Sequence, residues 1–456
     1  MPAPWLRQLT ALFPRGIVAS DPETLNAHAG DAWFARQLPQ AVVFPHKTED
    51  VAALLSFANR KRIPVTGRGA GRGYVGGCVP KRGGIVVSFA RMNRVLEINP
   101  VDGVGVVQPG VITGEFQAQA RRLGLLYPPD PASLKECSLG GNVATNAGGP
   151  RCLKYGVTRH YVLGLQVALA DGTLVRVGGR TQKNKSGFDL VGIFVGSEGL
   201  LGLVTEITLR LIPAPPARAV LSASFKNASV AAACVQHVLR EGFLPSALEL
   251  ADRFTLEAAR RHLGAKYLPR GNAHLLVEID GQPGAVRSDV RALAKILETG
   301  GALEVSTATT ETTCERLWDL RREFSASLKA TGLTKLNEDI CVPRSRLINL
   351  FDFTARLQKK YRVEIASFGH AGDGNIHVNI MADMTLPGVK KRTDLALNEL
   401  FRQVIAWGGV ITGEHGIGLA KLPWWPQAAS PELRKLHAMV KKALDPKRIL
   451  NPGKFV

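Results

Sequence analysis

Paired cysteines are missing from this chain of 456 residues. Its six cysteines lie far apart and form no CxxC pair, which argues against a zinc ribbon, a dithiol redox motif and an iron–sulfur site. We expect reduced, mostly buried thiols, as is usual in a cytoplasmic protein. Sulfur-based metal and redox centres are therefore not expected.

Long apolar runs are missing as well. The best candidate, residues 191–204, is interrupted by Glu198 and four glycines, whereas a transmembrane helix needs roughly 18 apolar residues. The opening MPAPWLRQLTALFP contains prolines and an arginine but no uninterrupted apolar core, so we expect no secretory signal. The sequence predicts a soluble, cytoplasmic protein, and peripheral contact with the inner face of a membrane stays open.

Acidic residues are scarce, with 38 Asp and Glu against 58 Lys and Arg, which gives a formal net charge of +20. The basic pairs are spread along the whole length, without a tail or interleaved aromatics. This distribution favours a solvated basic surface that attracts anionic substrates over a nucleic-acid-binding face. The composition is otherwise that of a globular protein, and the length has room for two or three domains.

The chain divides near residue 215. Residues 41–213 show short strands, many glycines and one clear helix at 49–62. Three prolines within 213–216 then interrupt regular structure, and helices alternate with strands beyond them. We predict domains 1–215 and 216–456, helices on one face of a sheet in the second domain, and a final segment of about 15 residues that packs back on the first.

Three glycine-rich stretches lie in the first half, at residues 66–77 (TGRGAGRGYVGG), 138–156 and 195–206. Glycines permit a close backbone approach, so successive N–H groups can converge on a diphosphate. Arg68 and Arg72 would add positive charge. No helical pattern follows the first stretch, so it is not a Rossmann fingerprint.

With these stretches, residues 42–213 resemble the FAD-binding domain of the vanillyl-alcohol oxidase and p-cresol methylhydroxylase superfamily. The whole chain resembles its D-lactate, glycolate and D-2-hydroxyglutarate dehydrogenase branch. The resemblance implies an α+β fold, with a two-part FAD-binding domain and a C-terminal α+β cap domain built on an antiparallel sheet. It also implies a set of FAD-binding residues: Arg68, Gly69, Ala70, Gly71, Arg72, Gly73, Pro131, Ser133, Gly141, Asn142, Thr145, Gly148, Glu198, Gly199 and Val204.

The mode of FAD attachment follows from the same comparison. Family members with covalent flavin carry a histidine in the first glycine stretch, whereas this chain has Arg72 and no histidine there. We therefore expect noncovalent FAD.

The strongest signal in the second half is EIASFGHAGDGNIHVNIMA, residues 364–382. Asp373-Gly374 between two strand-like runs is typical of a two-residue type I′ hairpin. Such a turn would place His370 directly opposite His377, with Cβ atoms roughly 5 Å apart, so that both imidazoles reach one metal ion.

A second signal is the segment GGVITGEHGIGLAK, residues 408–421, in which Glu414 and His415 stand between glycines. A carboxylate beside a histidine offers an anionic metal ligand and a titratable base. The family resemblance implies His370, His377 and Glu414 as ligands of a divalent metal, Zn²⁺ or Mn²⁺, and His415 as the base.

Arg321 matches the arginine that binds the substrate carboxylate in the family, and its planar fork suits bidentate binding. On sequence alone it is equally well an exposed helical arginine. Asn375 is a further catalytic candidate, and Lys335 is only a possible contact. The stretch 334–343 differs from the hydroxyglutarate enzymes in the position of its lysine, so a substrate with one carboxylate is favoured.

The sequence therefore predicts oxidation of a small D-2-hydroxy acid by FAD. Two alternatives stay open: a non-redox enzyme of the alkyl-dihydroxyacetone-phosphate synthase type, and a noncatalytic FAD-binding subunit of a larger oxidase. The electron acceptor is not identified, and a quinone, an electron-transfer flavoprotein or a separate iron–sulfur subunit would each serve. A homodimer is also an open alternative.

Overall fold

The structure is a computed structural model that describes residues 4–264 and 270–456. The first three residues of the N-terminal stretch therefore lie outside the described part. The helices, in chain order, are α1 (Leu6–Ala11), α2 (Pro22–Ala27), α3 (Thr48–Lys61), α4 (Thr113–Arg122), α5 (Leu139–Thr145), α6 (Cys152–Tyr155), α7 (Leu190–Phe194), α8 (Ala228–Arg240), α9 (Arg253–Leu263), α10 (Pro283–Thr299), α11 (Glu311–Lys329), α12 (Leu347–Tyr361), α13 (Val389–Ala406), α14 (Trp425–Ala428) and α15 (Pro431–Leu444).

The strands lie between these helices, singly or in runs of two to four. They are β1 (Val18–Ala19), β2 (Ala41–Val43), β3 (Val65–Arg68), β4 (Ile85–Ser88), β5 (Val95–Asn99), β6 (Val104–Val107), β7 (Leu125–Leu126), β8 (Val162–Ala168), β9 (Leu174–Gly178), β10 (Leu203–Arg210), β11 (Ile212–Pro213), β12 (Ala217–Phe225), β13 (Ala247–Ala251), β14 (Ala273–Gly281), β15 (Ala302–Ala308), β16 (Thr334–Cys341), β17 (Glu364–His370) and β18 (Asn375–Ala382).

The described residues form two compact units. The first contains residues 4–148, 157–214 and 414–456, and the second contains residues 149–156, 215–264 and 270–413. The segment from Glu414 onwards thus groups with the N-terminal half, whereas the sequence analysis places the domain boundary near residue 215. That predicted boundary stays a prediction.

The first unit is built on two larger sheets. One is four-stranded in the order β1-β2-β4-β3, with parallel pairing of β4 to β2 and β3, and the other is antiparallel in the order β5-β6-β10-β8-β9. Helix α3 buries Val51, Leu54 and Leu55 in a core that also takes residues from both sheets. Near the C-terminus, Leu450 enters the same core and bridges to Val65.

The second unit is built on one antiparallel sheet in the order β15-β12-β14-β13-β17-β18-β16. Since side chains alternate between the faces of a strand, the register decides what each face carries. One face carries charged and amide side chains on four adjacent strands, among them Glu249, His370, Asn375, His377, Asp339 and Lys335. The opposite face carries apolar residues such as Leu250, Ile376 and Ile340.

The prediction that the helices cover one face of this sheet is wrong. All eight residues of β18 are buried, as are the first seven of β14, so both faces are covered. Helices α9 and α11 pack over the face that carries Phe368. An amphipathic pattern shows that a helix packs on a sheet but not on which face, which is why the sequence did not distinguish the two arrangements.

The predicted α+β class, the antiparallel sheet and the long helices are confirmed, including the helix predicted at 49–62. The prediction of a single clear helix in the strand-rich half is wrong, because α4 and α5 also form there. Helix α5 is short and holds two glycines, so it shows no helical hydrophobic period. In the described parts of the chain, no helix is both long and apolar enough to cross a membrane.

Candidate active site

The three glycine-rich stretches meet around α5 in the first unit. A Cβ on Gly69 would lie 2.4 Å from Ser138 Oγ and 3.2 Å from the amide nitrogen of Gly141, so only glycine fits there. From the other side, the amides of Gly196 and Glu198 donate to the carbonyls of Val143 and Ala144, each at 2.8 Å. The predicted cofactor stretches are therefore one contiguous surface.

This surface fits a diphosphate. Among the described residues, the backbone amides of residues 69–73 donate no hydrogen bond to a backbone carbonyl. Gly71 has a φ of +69°, a conformation that favours glycine and turns successive N–H groups toward one point. Gly69, Ala70 and Gly71 are partly exposed, so their amides are accessible to a ligand.

The two arginines of the first stretch already have protein partners. Arg68 donates through Nη1 to the carbonyl of Gly30 and to Cys78 Sγ. Arg72 forms an exposed ion pair with Glu136 at 3.0 Å. Arg68 thus stabilises the turn at Gly71 from within the protein. Of the two arginines, Arg72 is the one whose side chain lies at the surface.

Glu198 has a role that the sequence did not indicate. Its buried carboxylate accepts hydrogen bonds from the amides of Ile417 and Gly418 at 2.7 and 2.8 Å. Burial raises the pKa of this carboxyl, while the two amide bonds lower it. Glu198 therefore holds the GEHGIG segment in the first unit, and its contact with FAD stays a prediction.

The GEHGIG segment also contacts the first glycine stretch. The His415 ring lies 5.5 Å from the Tyr74 ring between centroids, and the amides of Leu419 and Ala420 donate to the carbonyl of Val75. The predicted base is therefore close to the glycine surface.

The other predicted cofactor residues of the first unit occupy varied environments. Asn142 is buried and donates to Thr113 Oγ1, and the Thr145 hydroxyl donates to the carbonyl of Gly141. Gly148 is buried, whereas four others are partly exposed: Pro131, Ser133, Gly199 and Val204. Asn142 thus stabilises the local fold, and the cofactor roles of all these residues stay predictions.

In the second unit, the predicted hairpin register is wrong by two residues. Strand β17 ends at His370 and β18 begins at Asn375, so His370 pairs with Asn375 and Phe368 pairs with His377. Four residues therefore form the turn. It is not a type I′ turn at Asp373-Gly374, because that turn needs a positive φ at both central residues and only Gly374 has one. The two histidines are diagonal neighbours, with ring centroids 5.6 Å apart.

Asp339 is the centre of a buried polar network. It pairs across the sheet with His377, and Asp339 Oδ1 lies 3.9 Å from His377 Nδ1. Its carboxylate accepts from Asn375 Nδ2 at 2.7 Å, from Thr412 Oγ1 at 3.0 Å and from the Gly413 amide at 2.9 Å. Since Asn375 Nδ2 also donates to the carbonyl of Ile340, only its Oδ1 is left for a substrate.

Glu414 and His415 follow Gly413 directly in the chain. Of the predicted metal ligands, His370 and His377 lie in the second unit, as does Asp339, whereas Glu414 and the predicted base His415 lie in the first. Imidazoles and carboxylates are donors that zinc and manganese accept.

His370 and Arg321 meet at one carboxylate, that of Glu249. His370 Nδ1 lies 2.6 Å from Glu249 Oε1, and Arg321 Nε donates to Glu249 Oε2 at 2.6 Å. Burial raises the pKa of Glu249, but the charges of His370 and Arg321 outweigh it and bring the pKa to about 2. Arg321 is therefore not an exposed helical arginine, since its side chain is only 12% exposed.

A second cation lies close to Arg321. The Arg321 guanidinium carbon lies 4.9 Å from the centroid of the Phe368 ring, and Lys335 Nζ lies 5.7 Å from the same centroid. Burial, followed by the charges of Lys329 and Arg321, lowers the pKa of Lys335 to about 8. Two positive charges around one ring create an anion-attracting region on the polar face of the sheet.

Two residues of this site escaped the sequence analysis, Asp339 and Glu249. A signal exists for both. Asp339 continues the alternation of Lys335 and Asn337 along one strand, and Glu249 is a lone acid in the apolar run of β13. A buried charge requires a partner, so such an acid marks a polar contact even when the partner is unknown.

The glycine surface fits the diphosphate of a dinucleotide, and comparison with known proteins identifies the family. Residues 39–178 match the family of the FAD binding domain, and residues 214–455 match that of the FAD linked oxidases, C-terminal domain. The second match covers more than half of the chain. This protein therefore belongs to the FAD-linked oxidase family and is an FAD-dependent oxidoreductase.

Two curated relatives and one solved structure are similar over nearly the whole chain. Glycolate oxidase subunit GlcD of Bacillus subtilis is 39% identical over 92% of this chain and 89% of its own length. D-lactate dehydrogenase of Archaeoglobus fulgidus is 39% identical over 91% of each chain. The structure of p-cresol methylhydroxylase with substrate bound has a TM-score of 0.81 at 20% identity, covering 99% of this chain and 96% of that one. The likeness to that structure shows the fold.

Proposed function

We propose that this protein oxidises a small D-2-hydroxy acid, of the lactate or glycolate size, to the 2-oxo acid. The observation that carries the proposal is the placement of Arg321 beside a histidine–carboxylate group on one polar face of the sheet. An arginine suits the carboxylate of a hydroxy acid, and the histidine–carboxylate group suits its hydroxyl. The relatives named glycolate oxidase and D-lactate dehydrogenase support the same substrate class.

We assign Arg321 to the substrate carboxylate. In the described part of the chain its Nη1 and Nη2 donate to no protein acceptor, since only Nε is used, by Glu249. Two parallel N–H groups can then bind both oxygens of a carboxylate. Asn375 offers its Oδ1 as a further polar contact.

We propose that His370, His377 and Glu414 hold a divalent metal ion, and the rings of the two histidines lie 5.6 Å apart between centroids. When bound, Zn²⁺ or Mn²⁺ supplies a Lewis acid that favours ionisation of the substrate hydroxyl. The chain itself orients these ligands through the cross-strand pairing of Asp339 with His377 and through the bond from Gly413 to Asp339.

FAD, when bound to the glycine surface, supplies the acceptor for the hydride on the substrate Cα. The contribution of the chain is proton removal: an imidazole nitrogen of His415 accepts the hydroxyl proton. His415 is suited to this because Glu198 holds its segment through the Ile417 and Gly418 amides. We propose that residues 1–215 bind FAD and that residues 216–456 bind substrate and metal.

The experiment is an anaerobic stopped-flow measurement of flavin bleaching without an added acceptor. D-lactate and glycolate should bleach the flavin, and L-lactate should do so much more slowly. If none of a series of D- and L-2-hydroxy acids reduces the flavin, the proposed function is wrong. Bleaching would also exclude the two alternatives, since neither a non-redox ether exchange nor a noncatalytic subunit transfers electrons from a hydroxy acid to the flavin.

His415→Ala tests the assignment of the base. The variant should still bind FAD and a 2-hydroxy acid, but flavin reduction should slow by roughly 10²–10⁴-fold, the usual contribution of a positioned general base. His262→Ala, which changes an exposed histidine on α9, is the control and should reduce at the parent rate. If His415→Ala also reduces at the parent rate, another group removes the proton.

A further inference from the structure

Glu249 connects two groups that have different tasks in the proposed reaction. Its Oε1 lies 2.6 Å from His370 Nδ1, and its Oε2 accepts from Arg321 Nε at 2.6 Å. One carboxylate thus uses both oxygens, one for a metal-ligating candidate and the other for the carboxylate anchor. All three residues lie in the second unit.

The backbone leaves Glu249 little freedom. Strand β13 is bound on one side to β14 and on the other to β17, where Glu249 is the direct partner of His370. The Glu249 side chain is 1% exposed, so water does not compete for its oxygens. Arg321 reaches it from α11, which packs against the same face of the sheet.

The bond to His370 holds the ring by its Nδ1 edge, with Nδ1 2.6 Å from Glu249 Oε1. When Nδ1 carries the hydrogen of a neutral imidazole, Nε2 has the lone pair that a metal ion requires. Metal-bound histidines commonly have such a carboxylate behind them, and it orients the ring.

The bond to Arg321 determines which edge of the guanidinium is available. Nε is used by Glu249, and in the described residues Nη1 and Nη2 donate to no protein acceptor. The Phe368 ring, 4.9 Å from the guanidinium carbon, restricts its rotation. The free pair of N–H groups is therefore presented in one orientation.

We propose that Glu249 is a positioning residue that sets the metal ligand His370 and the carboxylate anchor Arg321 together. The inference rests on the proposed function. It predicts that one substitution at Glu249 weakens the binding of both the metal ion and the substrate carboxylate. The metal ion would bind His370 and the carboxylate would bind Arg321, so neither contacts Glu249 directly.

Glu278 is a matched control on the neighbouring strand β14. It is also 1% exposed and pairs with two arginines, Arg151 at 2.7 Å and Arg218 at 3.2 Å. Glu278→Gln disrupts a buried ion pair of the same kind without removing a partner of His370 or Arg321. Any effect that comes only from a weakened fold should be shared by the two variants.

The experiment measures two affinities separately by titration calorimetry of the FAD-loaded protein. Mn²⁺ is titrated without an organic anion, and pyruvate is titrated into protein that a chelator has stripped of metal. In Glu249→Gln, Mn²⁺ affinity should fall roughly 10- to 100-fold, as is usual when the partner of a ligating histidine is lost. Pyruvate affinity should fall about tenfold or more, since hydrogen bonds to charged groups contribute about 1.5–3 kcal/mol.

The comparison variants separate coupling from single effects. Arg321→Lys should lower only pyruvate affinity, His370→Asn only Mn²⁺ affinity, and Glu278→Gln neither. If Glu249→Gln changes only one affinity, or changes both no more than Glu278→Gln does, the coupling is overturned. The proposed function is tested separately: it is wrong if no 2-hydroxy acid reduces the flavin of the parent protein. The Mn²⁺ and pyruvate titrations do not depend on that result.

Discussion

At the scale of single residues, the polar face of the seven-stranded sheet depends on charges that are paired rather than solvated. Asp339 accepts hydrogen bonds from Asn375, Thr412 and Gly413, and Glu249 has a cation or an imidazole at each oxygen. Removing one partner of such a group leaves a buried charge uncompensated, which typically costs about 3–5 kcal/mol. Lys335 is the exception, because its Nζ donates to the neutral Ser325 hydroxyl at 2.8 Å.

This environment makes Lys335 sensitive to pH. Because burial and the neighbouring cations lower its pKa to about 8, Lys335 is charged below pH 8 and loses its charge as the pH rises through that value. A positive charge near the bound carboxylate stabilises it by Coulomb attraction, and this attraction is lost when Lys335 becomes neutral. The Kd for pyruvate should therefore rise several-fold between pH 7 and pH 9.

Two variants test this dependence. Lys335→Arg keeps its charge, so the rise in Kd between pH 7 and pH 9 should disappear. Lys335→Met should bind weakly at both values. If the parent protein and Lys335→Arg show the same pH profile, Lys335 does not contribute to anion binding.

At the scale of elements, the glycine surface depends on the close approach of the segment after β3 to the start of α5. Gly69→Ala would place a Cβ 2.4 Å from Ser138 Oγ, so the loop or α5 has to move. We expect the FAD Kd to rise at least tenfold, measured by flavin fluorescence after dilution. The reason is that the amides of residues 69–73 would no longer converge.

Gly77→Ala is the control in the same stretch. Its Cβ would meet nothing nearer than Val75 Cγ2 at 4.0 Å, and Gly77 has no positive φ. It should bind FAD as the parent protein does. Equal FAD affinity in the two variants would show that the close approach at Gly69 is not part of the cofactor site.

The β17–β18 hairpin shows how an element can be predicted correctly while its register is not. Both strands were predicted, but the turn has four residues instead of two. The two-residue slip keeps the side chains on the same face, because the side-chain period of a strand is two. His370 and His377 therefore stay on the polar face, although each gains a different partner, Glu249 for the first and Asp339 for the second.

At the scale of the whole molecule, family membership and the absence of a histidine from the first glycine stretch together predict noncovalent attachment of FAD. The first glycine stretch has Arg72 and no histidine, and the surrounding amides offer only hydrogen bonds. Acid precipitation of the yellow protein should therefore release all of the FAD into the supernatant, where it is identified by chromatography. Flavin that stays in the washed precipitate would show a covalent link through another residue.

The sequence by itself determined the features that depend on local pattern. The helix at residues 49–62, the glycine stretches and the His-rich hairpin are each encoded within about 20 neighbouring residues. Their periodicity, turn residues and motifs can be interpreted without knowledge of the rest of the chain. The resemblance to a known flavoprotein family, and the α+β class that it implies, depended on these motifs.

Only the tertiary structure decided which residues face one another. Glu249 and His370 are 121 positions apart in the chain, and their bond exists because β13 and β17 are neighbours in the sheet. Arg321 has the same appearance in sequence whether it is exposed on α11 or buried against Phe368. Strand order, register and helix side are set by the packing of distant segments, and a local pattern does not contain this information.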